Sequence, residues 1–166
     1  MSFELKNLLM SLPRNGKVEW LGIRPARREP MIVVDAVEAR TGQGLTGDRF
    51  AGSPASKRQV TLIQAEHLPV MAQLLNVERI DPAVLRRNIV VSGINLLALH
   101  GCLFCVGTVI LEGSGYCHPC SRMEENLGAG GYNAVRGHGG ITARVVSGGV
   151  VRMHDAVSFK SRPELS

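Results

Sequence analysis

The stretch Gly140-Ile-Thr-Ala-Arg-Val-Val-Ser-Gly-Gly149, running on through Val150 to Phe159, decides the fold class. Its β-branched residues are punctuated by the pair Gly148-Gly149, which predicts two closing strands, Ile141 to Val146 and Val150 to Phe159. Immediately upstream, Gly128 to Gly140 is glycine-rich, and Ser121 to Leu127 has the length and make-up of a short helix. Before that come a loop, Gly113 to Pro119, and an apolar run from Leu103 to Leu111, expected as one longer strand broken by Gly107.

The same rhythm continues toward the N-terminus. Asn88 to Val91 is a strand, and Asp81-Pro82 is an N-cap followed by proline at N1, opening a short helix through Arg86. Ala65 to Leu75 is a helix with Leu68, Ala72 and Leu75 on its buried face and Pro69 confined to its first turn. Arg58 to Ile63 is a strand, and Thr41 to Phe50 is a glycine-rich loop that Gly52 to Ser56 extends. Met31 to Val37 reads as a deeply buried strand and Lys17 to Ile23 as a half-buried, alternating one. Residues 1 to about 14 form a tail or an amphipathic first turn. Many short strands and few helices predict a mostly β protein, a barrel or sandwich with short peripheral helices.

The 166 residues suit one domain with one continuous core, and no repeat or linker divides them. Aromatics are only 4% of the chain, so Val, Ile, Leu and Ala must build that core. The opening residues lack a basic segment followed by a long apolar run, so no signal peptide is expected. No apolar stretch approaches the ~20 residues that span a bilayer. The expectation is a soluble, cytoplasmic protein with reduced thiols and no membrane partner.

The net charge of +5 is concentrated at Arg24, Arg27 and Arg28, at Lys57-Arg58 and at Arg86-Arg87. Nucleic acid is not the expected partner, because there is no basic helix and almost no aromatic side chain for base stacking. Each cluster fits either a solvated surface or a small anionic ligand.

Four cysteines form two C-x-x-C pairs, Cys102/Cys105 and Cys117/Cys120. That pattern invites a four-cysteine zinc site. However, Cys102 and Cys105 lie in or beside an apolar strand, where residues three apart point to opposite faces, so they are expected to pack as small hydrophobes. Cys117-His-Pro-Cys120 differs, because it precedes a short helix. Backbone N–H groups at a helix start favour a thiolate, and Arg122 and His118 add positive charge. That setting suits a nucleophile or a metal ligand. The spacing also fits a thiol redox pair, although the β-α-β surroundings of a thioredoxin-type motif are missing.

Several segments together resemble the MOSC family, the domain found at the C-terminus of molybdenum cofactor sulfurases and in stand-alone bacterial proteins. They are Gly44-Leu-Thr-Gly-Asp-Arg49, Arg58-Gln-Val-Thr-Leu-Ile63, Arg86-Arg-Asn-Ile-Val-Val-Ser-Gly93, Leu103-Phe-Cys-Val-Gly107, Pro119-Cys120 and Gly140 to Gly149, in an order that spans about residues 16 to 159. The resemblance implies a β-barrel similar to the C-terminal domain of pyruvate kinase. It also implies a cysteine after proline, here Cys120, that handles sulfur or contacts molybdenum cofactor. One departure is His154-Asp155 where the family's last strand usually carries Gly-Asp. No segment offers a lysine site for pyridoxal phosphate, so a separate sulfur donor such as a cysteine desulfurase, or an electron-donor protein, is the implied partner.

The resemblance gives Cys120 two roles, soft ligand to molybdenum or carrier of sulfur as a persulfide. His118 is the candidate auxiliary to catalysis. Arg58, Arg87 and Arg122 are candidates for the cofactor's phosphate and pterin, each with a solvent-facing alternative. Asn88 sits at a helix-to-strand junction and either caps backbone or binds ligand. The activities open at this point are metal-sulfur cluster or cofactor sulfuration, reduction of N-hydroxylated compounds, thiol redox chemistry at Cys117/Cys120, and non-enzymatic anion binding.

Overall fold

A computed structural model of the chain describes residues 3–165. Helix α1 (Phe3–Met10) leads into strand β1 (Gly16–Ile23), then β2 (Ile32–Val33), β3 (Ala36–Arg40), β4 (Gly44–Leu45) and β5 (Val60–Gln64). Helices α2 (His67–Leu74) and α3 (Pro82–Leu85) precede β6 (Ile89–Ser92), and β7 (Leu103–Val106) and β8 (Val109–Tyr116) follow. Helices α4 (Ser121–Leu127) and α5 (Gly131–Val135) then lead to β9 (Ile141–Ser147), β10 (Gly149–Arg152) and β11 (Ala156–Ser161).

Seven strands close into a barrel in the order β11-β7-β8-β9-β5-β6-β1, and β1 returns to β11 through Gly16 opposite Val157. The barrel is mixed: β5 and β6 run parallel, with Leu62 opposite Ile89, whereas its other pairings are antiparallel. Closure removes the unpaired edges that an open sheet of this size would expose. A smaller sheet, β10-β3-β4, lies beside it.

Alternation along the strands produces two apolar clusters. Val60, Leu62, Ile89, Val91, Phe104, Leu111, Ile141 and Val157 belong to the barrel core. Ile63 and Val90, one residue out of phase, pack outward with Met71, Leu85, Met123 and Val135. Strand β5 is therefore buried at every residue, which is why it reads as a continuous apolar run. The second cluster seats α2, α3, α4 and α5 on one side of the barrel, and the short segments between them carry the site.

Several elements match their sequence-based bounds. Asp81 accepts from the Ala83 amide at 2.9 Å with Pro82 at N1, and α4 spans Ser121 to Leu127. On α2 the fully buried residues are Met71 and Ala72, with Leu68 and Leu75 only partly covered. Four expectations need correction. Residues 31–37 are not one deeply buried strand: Ile32 and Val33 are 48% and 59% exposed, and the chain bends at Val34-Asp35 into the smaller sheet. The run from Leu103 to Leu111 is a hairpin, turned by Gly107 at φ +59 with Val106 opposite Val109, as a tight turn with glycine first requires. Strand β8 persists to Tyr116, so the loop before Cys117 is shorter than expected. Finally, Val150 to Phe159 is two strands in different sheets, parted where His154 adopts φ +70. Among the described residues, no helix is long and apolar enough to cross a membrane.

Candidate functional site: an arginine cup with a thiol on its wall

A cavity of about 390 Å³ opens where the end of β1, the β4–β5 loop, the α3–β6 junction and the start of α4 meet. Six arginines line it, Arg24, Arg49, Arg58, Arg86, Arg87 and Arg122, together with Phe50, Ala51, Met123 and Cys120. Among the described residues, no carboxylate lines it. Like charges gathered this closely repel unless an anion or a carboxylate beneath them compensates.

Asp48 supplies part of that compensation from below. Its side chain is fully buried, and Arg24 grips it through Nε at 3.1 Å, Nη2 at 2.8 Å and its own backbone N–H at 2.8 Å. Asn88 Nδ2 donates to Asp48 at 3.0 Å and to the Gly22 carbonyl at 3.1 Å, while Asn88 Oδ1 accepts from the Thr61 amide and hydroxyl, both at 3.1 Å. Burial pushes the Asp48 carboxyl upward, but the contacts from Arg24 and Asn88 outweigh it and hold the carboxyl below its ordinary value. Asn88, fully buried with its amide committed to protein, thus acts as a brace under the cup rather than a group presented to a ligand.

The arginines differ in what they have left to offer. Arg24 is spent on Asp48. Arg86, in a left-handed conformation (φ +58) at the end of α3, donates to the carbonyls of Glu29 and Ala26. Burial and then the charges of Arg24, Arg122 and Arg49 lower its proton affinity, a direct sign of the crowding. Arg122 leans on Glu125 at 3.4 Å, and Glu125 also holds Arg28 at 3.2 Å. Arg87 is only 6% exposed, with Nε on the Gly139 carbonyl and Nη1 on the Leu85 carbonyl, both at 2.9 Å. Its Nη2 is buried without a hydrogen-bond partner among the described residues. Burial, first of all, lowers its proton affinity too. A guanidinium stays protonated in proteins, so this nitrogen is an unmet buried donor on a residue that lines the hollow. Arg58 Nη2 lies 3.7 Å from the Cys117 sulfur.

Cys120 is exposed on the cup wall, in extended backbone (φ −128, ψ 176) at the N-cap of α4, and its side chain makes no capping bond. Cys117 is buried, its amide donating to the Gly140 carbonyl at 2.9 Å. Glycine is required here on steric grounds: a Cβ on Gly139 would sit 2.0 Å from the Cys117 carbonyl oxygen. His118 does not join Cys120 in the cup. It lines a separate hollow of about 250 Å³ with Tyr116, Cys117, Pro119 and Leu97. Its ring meets Tyr116 edge-on at 6.5 Å.

The remaining pair stays apart from this chemistry. Cys102 is buried, its thiol donating to the Ala98 carbonyl at 3.4 Å, and burial raises its pKa. Cys105 lies on β7 opposite Ile110. Among the described residues, no three His, Cys, Asp or Glu side chains gather around a common metal position.

Of the residues singled out from sequence, Cys120, Arg58, Arg87 and Arg122 converge on the cup, with Asn88 beneath it and His118 outside it. Arg24, Arg49 and Arg86 complete the cup and were seen only as parts of basic clusters or motifs. Asp48, inside Gly44-Leu-Thr-Gly-Asp-Arg49, was the available signal. An acidic residue amid basic clusters in a glycine-rich loop is a natural counter-charge.

A barrel of this topology with a thiol beside an arginine-lined hollow can be compared with known proteins. Residues 42–158 match the model of the MOSC domain. That span covers most of the sequence, and the chain belongs to the MOSC domain family. The YuaD protein from Bacillus subtilis has a similar fold, with a TM-score of 0.75 at 23% identity over 89% of this chain and 97% of that one. YiiM from Escherichia coli gives 0.68 at 18% identity, over 88% of this chain and 70% of that one. YiiM from Geobacillus stearothermophilus gives 0.70 at 14% identity, over 89% and 76%. These likenesses establish the barrel, including its resemblance to stand-alone bacterial members. No curated protein matches the sequence.

Proposed function

We propose that the cup binds molybdenum cofactor, with Cys120 as the protein thiolate directed at the metal. The observation that carries this reading is a single hollow lined by an exposed thiol and six arginines, with no carboxylate among its described lining residues. The ligand must then be anionic at one end and soft at the other. A pterin dithiolene that carries a phosphate and a molybdenum centre has both properties. The residues present fit it. Arg87, Arg58 and Arg49 would hold the phosphate, because guanidinium matches phosphate in bidentate fashion, and Cys120 supplies sulfur.

When bound, the cofactor would supply a metal centre able to exchange oxygen and electrons with a substrate. The chain's own contribution is electrostatic and positional. Arg87 is held in place by two carbonyls before any anion arrives. Asp48 keeps Arg24 turned inward without adding a negative charge to the cup's lining. Phe50 and Met123 add apolar surface to the cup's lining. In this reading the chain reduces N-hydroxylated compounds with electrons from a donor protein. In its sulfur-relay form, Cys120 accepts sulfur as a persulfide from a cysteine desulfurase for cofactor or metal-sulfur cluster sulfuration.

Protein purified from a host that makes the cofactor is expected to contain molybdenum and to release a fluorescent oxidised pterin, in near-equal amounts. Cys120→Ala should retain the pterin and its dithiolene-held molybdenum, with one fewer sulfur on the metal. If neither metal nor pterin accompanies the wild-type chain, the cofactor reading fails and an anion-binding module is left. If Cys120→Ala keeps the sulfur coordination of the wild type, the role of Cys120 as ligand fails.

A further inference from the structure

Away from the cup, His67 and His138 come together from separate elements. His67 is the first residue of α2, and His138 follows α5 in the glycine-rich segment. Their Nδ1 atoms are 3.2 Å apart, with ring centroids at 4.8 Å and planes at 89°. His67 opens onto a cavity of about 360 Å³ that Glu66, Gln64, Arg14 and Asn95 also line. Both rings are half-buried. Nothing in the proposed cofactor chemistry uses them.

We propose that His67 and His138 form a two-histidine site for a borderline divalent transition-metal ion, of the copper, nickel and zinc class. Two nitrogens bonded to one metal at about 2.0–2.1 Å stand about 3.3–3.4 Å apart in tetrahedral geometry and about 2.9 Å apart when cis in a square plane. The observed 3.2 Å lies between these values. Imidazole is the ligand these metals favour, and it must be neutral to bind. Burial, followed by the neighbouring His138, lowers the proton affinity of His67, against a smaller opposing effect from Glu66.

Charge around the pair is balanced. The N-terminus of α2 and Arg14 disfavour a cation, and the Glu66 carboxylate offsets them. Glu66 itself is engaged by Gln64 Nε2 at 2.7 Å and by the Gly93 amide, so it acts through its charge. No third side-chain ligand joins the pair among the described residues, which leaves the other coordination positions to water from the cavity. The next residue after His138 is Gly139, whose carbonyl holds Arg87. Metal at the pair would therefore pin α2 to the segment that orients the cup's buried arginine.

Titration of the chelator-stripped, reduced full chain with zinc(II), followed by calorimetry and by imidazole nitrogen NMR, tests this. The expected result is a binding event with shifts at Nδ1 of both His67 and His138, weakened at least tenfold in His67→Gln and in His138→Gln. Circular dichroism of each variant confirms its fold, and the NMR of the wild type gives the answer independently of them. Affinity should also fall as the pH is lowered through the histidine range. The proposal is overturned if zinc leaves both imidazoles unshifted, or if binding is confined to the cysteines. It is also overturned if both folded variants bind as the wild type does, which would reduce the pair to a simple N–H···N hydrogen bond.

Discussion

Asp48→Ala should lower global stability by about 3–5 kcal/mol, the usual cost of removing one partner from a buried ion pair. The carboxylate is fully buried and carries the Arg24 side chain, the Arg24 amide and the Asn88 amide. Its loss leaves a half-buried guanidinium with no counter-ion in a cup that already holds five other arginines. Urea unfolding at pH 7 measures the loss, which for a chain of this size corresponds to a fall in Tm of roughly 10 °C. The pH dependence has a defined sign. The folded carboxyl is held below its ordinary value, so its contribution is complete above the unfolded-state value of about 3.9. It disappears as pH falls through the lower folded value. Wild type and variant should therefore converge in stability under strong acid. A variant as stable as wild type at pH 7 would show that Asp48 is not the counter-charge of the cup.

Arg87→Leu should reduce retained pterin at least tenfold, the equivalent of about 1.4 kcal/mol or more. A hydrogen bond from a charged donor contributes about 1.5–3 kcal/mol, and Arg87 lines the cup with an Nη2 that has no hydrogen-bond partner among the described residues. The substitution also strands the Gly139 and Leu85 carbonyls, so some destabilisation is expected as well. Arg122→Leu is the useful comparison, because Arg122 is half-buried and already paired with Glu125. Its effect on pterin content should be several-fold smaller. Equal losses for the two would mean that the cup acts through net charge alone, without the specific geometry of Arg87.

Much of the fold was legible from periodicity. Strands β1, β5, β6 and β9, the Asp81-Pro82 cap and α4 follow from local rules, since each is set by its own residues. The errors arose where tertiary pairing overrides them. Ile32 and Val33 look like core residues but pair only with the end of β1 and face solvent. Gly107 reads equally as a strand interruption or a hairpin turn, and the pairing of Val106 with Val109 decides it. His154, at φ +70, ends one strand and starts another without a glycine to announce it.

The site was legible in part. Cys120 could be selected from its place before a helix and from the family resemblance, and Arg58, Arg87 and Arg122 because guanidinium suits the phosphate of the cofactor that the resemblance implies. Their division of labour could not be read. Which arginines are spent on Asp48, on carbonyls or on Glu125, and which remain open, depends on contacts between residues far apart in the chain. Asn88 shows the same limit: its amide could serve backbone or ligand, and burial between Thr61, Gly22 and Asp48 sets it to the former. His118 is two residues from Cys120, yet the turn of the chain places it over a different hollow.

Molybdenum X-ray absorption of the holoprotein tests the central claim most directly. Wild type is expected to show a sulfur ligand to molybdenum beyond the two of the dithiolene. Cys120→Ser should lose that one ligand while its pterin content is unchanged. An identical sulfur coordination in wild type and Cys120→Ser would contradict the assignment of Cys120 as the protein's ligand to the metal.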